Sequence, residues 1–168
     1  MKIKKIFFDL DGVLADFDRG VCELAHTSPL DQSSEDFKKE DLMWAEISRV
    51  DRFYFNLSPM PGALEMFSKI YADYGDRVEI LSGIPKPRRG IVTAAPDKAA
   101  WSHLYLSPFI KVNIVYKEQK KNFCTGKDCI LIDDLNANIE MWQISGGTGI
   151  LHVSPEKTLE ELKKIEEL

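Results

Sequence analysis

Two aspartates with one residue between them follow the first apolar segment of the chain. Asp9 and Asp11 come directly after the run Ile6 to Phe8, and Gly12 follows them. A single acid at such a position would most simply end the strand as a turn, whereas a DxDG segment directly after an apolar strand favours a functional site. Ligands of open α/β sheets bind outside the carboxyl ends of the strands, so both acids would face a substrate there. The segment therefore predicts a catalytic site at the end of the first strand.

A second pair of aspartates closes another apolar run. Asp133 and Asp134 follow Ile130 to Ile132. In one parallel sheet the four carboxylates would meet at one edge, where they would repel each other unless a cation lay between them. Oxygen ligands with open positions for water are typical of Mg²⁺. Taken alone, the second pair could also cap a helix; together with the first pair it predicts a Mg²⁺ site.

Two further strand ends carry groups that suit an anion. Ser82 and Gly83 offer a hydroxyl and a backbone N–H, which hold phosphate oxygens without adding charge. Another run is followed by three lysines, Lys117, Lys120 and Lys121. A simple Ser-Gly turn and a solvated lysine face are the alternative interpretations. Beside the carboxylates, these segments predict a site for a phosphate group.

Five short apolar runs predict the strands that must position these groups: Ile6 to Phe8, Val78 to Leu81, Val112 to Val115, Ile130 to Ile132 and Ile150 to Val153. They are continuous rather than alternating, which is typical of strands covered on both faces. Helix starts are indicated at Pro61-Gly62 and at Ser154-Pro155. The second of these opens a terminal helix whose apolar face comprises Leu159, Leu162, Ile165 and Leu168. We therefore predict an α/β fold with a parallel sheet flanked by helices.

A long segment without a comparable strand separates the first strand from Pro59. It runs for about forty-five residues, whereas a crossover in a parallel sheet needs only a dozen or so residues and a helix. The excess predicts a small, mostly helical cap inserted after the first strand, over approximately residues 17–58. With 168 residues, the chain is expected to form a single domain over 1–168.

Composition excludes several classes of partner. The chain has 22 Lys and Arg against 27 Asp and Glu, a net charge of −5, which argues against binding of nucleic acid. Its apolar stretches are too short for a membrane span, and Asp9 interrupts any signal peptide. Three cysteines without a CxxC motif predict reduced thiols. We expect a cytoplasmic protein; whether it is a monomer or a homodimer stays open.

The ordered set Asp9-Leu10-Asp11-Gly12, Ser82, a lysine and Asp133-Asp134 resembles the haloacid dehalogenase (HAD) superfamily of phosphatases. Residues 53–63, 81–86, 97–101 and 130–134 are similar to segments of 5′(3′)-deoxyribonucleotidases. The resemblance implies a HAD-like Rossmannoid fold. It also implies Mg²⁺-dependent hydrolysis of (deoxy)ribonucleoside monophosphates through an aspartyl-phosphate.

The resemblance assigns roles to the four carboxylates. Asp9 would be the nucleophile, and Asp11 the general acid and then the base for the hydrolytic water. Asp9, the backbone carbonyl of Asp11 and Asp134 would bind Mg²⁺, with Asp133 behind these ligands. Dehalogenases of the superfamily lack a carboxylate at the position of Asp11, so its presence favours phosphoryl chemistry.

The remaining roles concern the substrate. Ser82 and the N–H of Gly83 would hold phosphate oxygens, although the family usually has Thr-Ser there. Lys120 is favoured as the neutralising lysine over Lys121 and Lys117. Nucleotide contacts would come from Lys86 and from cap aromatics that include Trp44 and Phe55, whose alternative role is a small cap core. Lys98 and Trp101 are expected to position a loop and to pack.

Two other functions stay open at this point. The first is a HAD phosphatase or phosphotransferase that acts on a sugar phosphate or another small metabolite. The second is a catalytically silent binding domain of the same fold. In the catalytic reading the partner is a small-molecule phosphomonoester, and a binding module would have no need of the general acid Asp11.

Overall fold

The computed structural model describes residues 1–30 and 35–168, and its centre is a five-stranded sheet. The strands are β1 (Lys5–Phe8), β2 (Val78–Gly83), β3 (Lys111–Val115), β4 (Cys129–Asp133) and β5 (Thr148–Leu151). Their order is β3-β2-β1-β4-β5, and every neighbouring pair is parallel. The predicted α/β class with a parallel sheet is confirmed. The acidic strands β1 and β4 are neighbours, so their carboxyl ends share one edge.

Helices cover both faces of the sheet. They are α1 (Phe17–Glu23), α2 (Phe37–Ser48), α3 (Ala63–Tyr74), α4 (Ala94–Tyr105), α5 (Asn136–Ile144) and α6 (Pro155–Glu167). Short 3₁₀ helices span Gly75–Arg77, Pro87–Arg89 and Lys117–Phe123. None of the helices within the described ranges is long and apolar enough to cross a bilayer.

The side chains of β1 show why a continuous apolar run suits the central strand. Ile6 and Phe8 join the larger core, which also contains apolar residues of α3, α4 and α6. Phe7, which points to the opposite face, packs with Leu131 and with Trp142 of α5 in a second cluster. Because both faces of β1 are buried, the strand has no room for polar side chains until Asp9.

The last strand and the last helix differ from the sequence prediction. The last strand begins at Thr148 and ends at Leu151, two residues before the predicted run Ile150 to Val153. Thr148 and Gly149 pair with β4 through their backbone, which apolar patterning does not detect. On α6, Leu162 and Ile165 are buried as predicted, but Leu168 is 91% exposed because the helix ends before it.

The insertion after β1 contains α1 and α2. Phe17, Met43, Ile47 and Phe53 are buried in the core that also covers one face of the sheet. The insertion is therefore packed onto the sheet domain through an apolar contact. The predicted cap segment 17–58 includes residues 31–34, which lie outside the described residues.

Candidate active site

The turn after β1 brings its two aspartates to the edge of the sheet. The N–H of Asp9 still donates to the carbonyl of Ile132 at 3.0 Å, so Asp9 stays beside β4. Gly12 then reverses the chain with a φ of 77°, in the left-handed region that favours glycine. A Cβ atom at Gly12 would lie 2.1 Å from Oδ2 of Asp134. A glycine is therefore required for the two acidic segments to approach each other.

Lys120 neutralises part of the negative charge of the aspartates at this edge of the sheet. Its Nζ lies 2.9 Å from Oδ1 of Asp9 and 2.8 Å from Oδ2 of Asp133, and its side chain is 2% exposed. The two carboxylates raise the pKa of Lys120 against the opposing effect of burial, so its ammonium stays charged. Lys117 and Lys121 on the same 3₁₀ helix are exposed. Among the three candidate lysines, the structure places Lys120 against the nucleophile candidate.

Both carboxylate oxygens of Asp133 accept hydrogen bonds. Its Oδ1 accepts from the N–H of Leu135 at 2.9 Å, and its Oδ2 accepts from Lys120 and from Nδ2 of Asn138 at 2.9 Å. The carboxylates of Asp9, Asp133 and Asp134 offer oxygens within 4.8 Å of one another. With its lone pairs committed to these donors, Asp133 is better suited to hold Lys120 than to bind a metal.

The oxygens of Asp9 and Asp134 suit a divalent cation. Oδ1 of Asp134 is buried and has no hydrogen-bond partner among the described residues, which is costly unless a ligand completes the site. Burial, with Asp9 and Asp133 nearby, raises the pKa of Asp134 to about 8. Burial also raises the pKa of Asp9 to about 6, an effect that Lys120 opposes and Asp133 strengthens. The donors present therefore fit the predicted Mg²⁺ site.

These raised pKa values predict how stability depends on pH. Carboxyls with ordinary pKa values of 3.8 keep their protons in the folded, metal-free protein up to about pH 6 and 8. Folding is then favoured at low pH, and this stability is lost as the pH rises from about 4 through 8. In EDTA, the melting temperature should fall between pH 5 and 8.5 in differential scanning fluorimetry.

Mg²⁺ should raise the melting temperature more at pH 8.5 than at pH 5, because protons compete with the cation for the same oxygens. Asp134→Asn should flatten the pH dependence in EDTA. The same pH slope in this variant and in the unmodified chain would contradict the assignment of Asp134 as the proton-binding group.

Lys98 of α4 reaches the other aspartate of the turn. Its Nζ donates to Oδ2 of Asp11 at 2.7 Å, to Oγ of Ser82 at 3.0 Å and to the carbonyl of Gly83 at 2.7 Å. Ser82 is fully buried behind these contacts and does not line the cavity above the site. The Ser82 hydroxyl accepts from Lys98 here, and its contact with phosphate stays a prediction. Gly83 does reach the cavity.

A cavity of about 340 Å³ is lined by Asp9 and Asp11. Gly83 and Lys120 also line it. Other lining residues come from the insertion and from the loops after β2 and β3, and they include Phe17, Glu40, Met43, Trp44, Tyr54, Lys86, Arg88, Arg89, Lys117 and Glu118. Its volume and mixed apolar and charged lining are typical of a site for a small organic ligand.

The predicted cap aromatics divide between cavity and core. Trp44 lines the cavity, with its ring centroid 5.9 Å from that of Phe17. Phe55, by contrast, does not line it: its ring packs under the guanidinium of Arg52, 3.9 Å from the charge centre. Tyr54, the residue before Phe55, does line the cavity.

Ion pairs organise the charged mouth of the cavity. Lys86, for which a nucleotide contact is predicted, lines the cavity. It pairs with Glu118, and its Nζ is 4.5 Å from the ring centroid of Tyr116. Arg89 joins the loop after β2 to helix α2 through Glu40 at 3.1 Å and through Asp41. The guanidinium of Arg89 therefore holds the insertion to the loop after β2, and its charge is already paired with two carboxylates.

Sequence reasoning assigned neither Asn138 nor Lys98 to the contacts of the aspartates. Asn138 holds Asp133, and it shares the inward face of α5 with the buried Ile139 and Trp142. Lys98 was assigned only to loop positioning. A lysine on the same helical face as the buried Ala94 and Trp101 is a signal for a buried acidic partner, because isolated buried charges are costly.

Solved structures share this fold. YfnB from Bacillus subtilis, assigned as a HAD-hydrolase and solved with bound magnesium, aligns over 100% of both chains with a TM-score of 0.58 and 15% identity. A HAD-superfamily hydrolase from Ehrlichia chaffeensis aligns over 88% of this chain and 86% of its own, with a TM-score of 0.52 and 14% identity. A dehalogenase aligns over 94% and 89%, with a TM-score of 0.55 and 13% identity.

The sequence itself matches no protein-family model and no curated protein. The chain thus has the fold of HAD-superfamily hydrolases, at an identity where a shared fold does not specify a reaction. Because a dehalogenase shares the fold, the chemistry must be argued from the residues of the site.

Proposed function

We propose that this chain is a phosphomonoesterase of the HAD superfamily that uses Mg²⁺ and hydrolyses nucleoside monophosphates through an aspartyl-phosphate on Asp9. The observation that carries the proposal is the pairing of Asp9, held by a buried lysine 2.9 Å away, with a second carboxylate two residues later in the lining of the cavity. Nucleophilic attack and proton transfer need two such carboxyls.

In the proposed reaction each of these residues has a separate role. Asp9 attacks phosphorus, and Asp11 gives a proton to the leaving alkoxide and later takes one from the attacking water. Lys120 offsets the charge of Asp9 as the phosphate approaches. Asp9, the backbone carbonyl of Asp11 and Asp134 would hold Mg²⁺. Bound there, the ion would polarise a phosphate oxygen and reduce its repulsion of the nucleophile.

The aromatic lining of the cavity favours a substrate with a flat ring. We propose that segment 17–58 acts as a cap that selects the substrate, with Trp44 and Tyr54 as apolar faces above the reacting phosphate. An aromatic face of this kind accepts any nucleobase, because stacking is tolerant of base identity. The mixed charges of Glu40, Lys86 and Arg88 would contact polar groups of the sugar and base.

A substrate panel tests the proposal. Deoxyribonucleoside and ribonucleoside 5′- and 3′-monophosphates and sugar phosphates should be assayed with Mg²⁺ and with EDTA. We expect release of inorganic phosphate from nucleotides with Mg²⁺ alone. A clear preference for sugar phosphates would favour the second candidate function, and no Mg²⁺-dependent release from any substrate would favour a silent binding domain.

Trp44→Ala should raise KM for a nucleoside monophosphate about 10-fold, since a stacking contact contributes roughly 1–3 kcal/mol. The same variant should leave KM for a small alkyl phosphate nearly unchanged. Phe55→Ala is the matched control, because Phe55 lies outside the cavity, and it should change neither value. Equal increases in KM for both substrates in Trp44→Ala would show that Trp44 supports the cap core instead.

A further inference from the structure

The proposed reaction assigns no role to Lys98, which is a buried cation of the site. Its side chain is 2% exposed, and its three hydrogen bonds go to Asp11, Ser82 and Gly83. The ring of Tyr54 covers it, with the ring centroid 4.5 Å from Nζ. A lysine loses much conformational entropy and hydration when it is buried in this way, so its contacts must be strong.

The helix that carries Lys98 is fixed on both sides of this residue. Asp97, also buried, pairs with Arg52 at 2.9 Å. One turn later, Nε1 of Trp101 donates to the carbonyl of Leu57 at 2.8 Å. These contacts tie α4 to the segment that follows α2. The ammonium of Lys98 therefore reaches Asp11 from a rigid base.

The two oxygens of Asp11 differ as a result. Oδ2 accepts from Lys98 at 2.7 Å, whereas Oδ1 is buried and has no hydrogen-bond partner among the described residues. The ammonium of Lys98 can only donate, so this contact fixes the orientation of the Asp11 carboxylate through Oδ2.

We infer that Lys98 is a positioning residue that fixes the Asp11 carboxyl for proton transfer. This inference rests on the proposed function. As an Asp9 oxygen forms its bond to phosphorus, the P–O bond to the leaving group breaks and its electron pair passes to the leaving oxygen. That oxygen takes the proton from the Asp11 carboxyl. In the second half of the reaction, water gives a proton back to this carboxyl as its oxygen bonds to phosphorus and releases Asp9.

The same contacts give Ser82 a new role. Its hydroxyl accepts from Lys98 and is fully buried, so it holds the lysine rather than the phosphate. The Ser82 hydroxyl and the Gly83 carbonyl are the two other acceptors of Nζ and hold it beside Asp11. The end of β2 is thereby coupled to the general acid through one ammonium group.

Dependence on the leaving group tests this inference. 4-Nitrophenolate leaves without a proton, whereas the alkoxide of a nucleotide needs one. Lys98→Met should lower kcat/KM for a deoxyribonucleoside 5′-monophosphate by roughly 100-fold, the scale of general acid catalysis, and for 4-nitrophenyl phosphate by less than about 5-fold. In an Asp11→Asn background the further loss should vanish, because the two residues act as a unit. Lys163→Met, an exposed lysine on α6, is the matched control and should change neither value.

Equal losses for both substrates in Lys98→Met, or a full further loss in the Asp11→Asn background, would overturn the inference and leave the proposed function standing. Ser82→Ala provides a second test that holds even if Lys98→Met does not fold. It should lower the nucleotide value several-fold more than the 4-nitrophenyl value, whereas a phosphate-binding Ser82 would lower both equally and overturn the inference. A native chain that hydrolyses neither substrate with Mg²⁺ overturns the proposed function, and this inference with it.

Discussion

Replacing Asp9 by asparagine is expected to abolish phosphomonoester hydrolysis while leaving the fold intact. The amide cannot form the covalent phosphoryl intermediate, so kcat should fall by on the order of 10⁴-fold or more. The variant should fold because Asn has the shape of Asp and removes one of four crowded carboxylates. Its melting temperature in EDTA at pH 8.5 should equal or exceed that of the native chain.

Phosphate release under saturating substrate with Mg²⁺ measures the effect of Asp9→Asn. Asp76→Asn is the matched control, since Asp76 is exposed in the turn before β2, at the opposite edge of the sheet, and it should keep full activity. Substantial Mg²⁺-dependent turnover in Asp9→Asn would refute the nucleophile assignment. Loss of cooperative unfolding would instead show that Asp9 is needed for folding.

Lys120→Met should affect stability and activity together. Removing one partner of a buried ionic cluster leaves Asp9 and Asp133 without their shared cation, which should cost about 3 kcal/mol of unfolding free energy. We also expect kcat/KM to fall by at least about 100-fold, because the developing charge loses its fixed counterion. Urea unfolding and steady-state kinetics measure the two effects.

Lys121→Met is the control for this prediction, because Lys121 is the exposed neighbour on the same 3₁₀ helix. It should alter neither unfolding free energy nor kcat/KM by a significant amount. Near-native activity in Lys120→Met, or a large loss in Lys121→Met, would transfer the role to another lysine. The sequence alone left these lysines as alternatives, and only the placement of Lys120 between two carboxylates separates them.

The sheet was predictable because its strands are buried on both faces. Continuous apolar runs identified β1 to β4 within one or two residues at each end, and parallel strands necessarily bring their carboxyl ends to one edge. The convergence of Asp9, Asp11, Asp133 and Asp134 follows from that topology. β5 was misplaced by two residues because Thr148 and Gly149 contribute backbone hydrogen bonds and no apolar side chain.

Contacts between distant segments were less predictable. Phe55 contacts the guanidinium of Arg52 instead of lining the cavity, and the environment of Ser82 depends on a lysine 16 positions later. Patterning within a segment shows that a side chain is buried, but not which partner meets it. Lys98 illustrates this limit, because its helical face indicates burial and only the fold brings Asp11 to it.

Direct detection of a phosphoryl group on Asp9 tests whether Asp9 is the nucleophile. The native chain should be mixed with excess nucleoside monophosphate and Mg²⁺, quenched in acid within the first turnover, digested and analysed by mass spectrometry. We expect the mass of one phosphoryl group on the peptide that contains Asp9, and none in EDTA or in Asp9→Asn. Rapid turnover with the phosphoryl group on another residue would show that Asp9 is not the nucleophile.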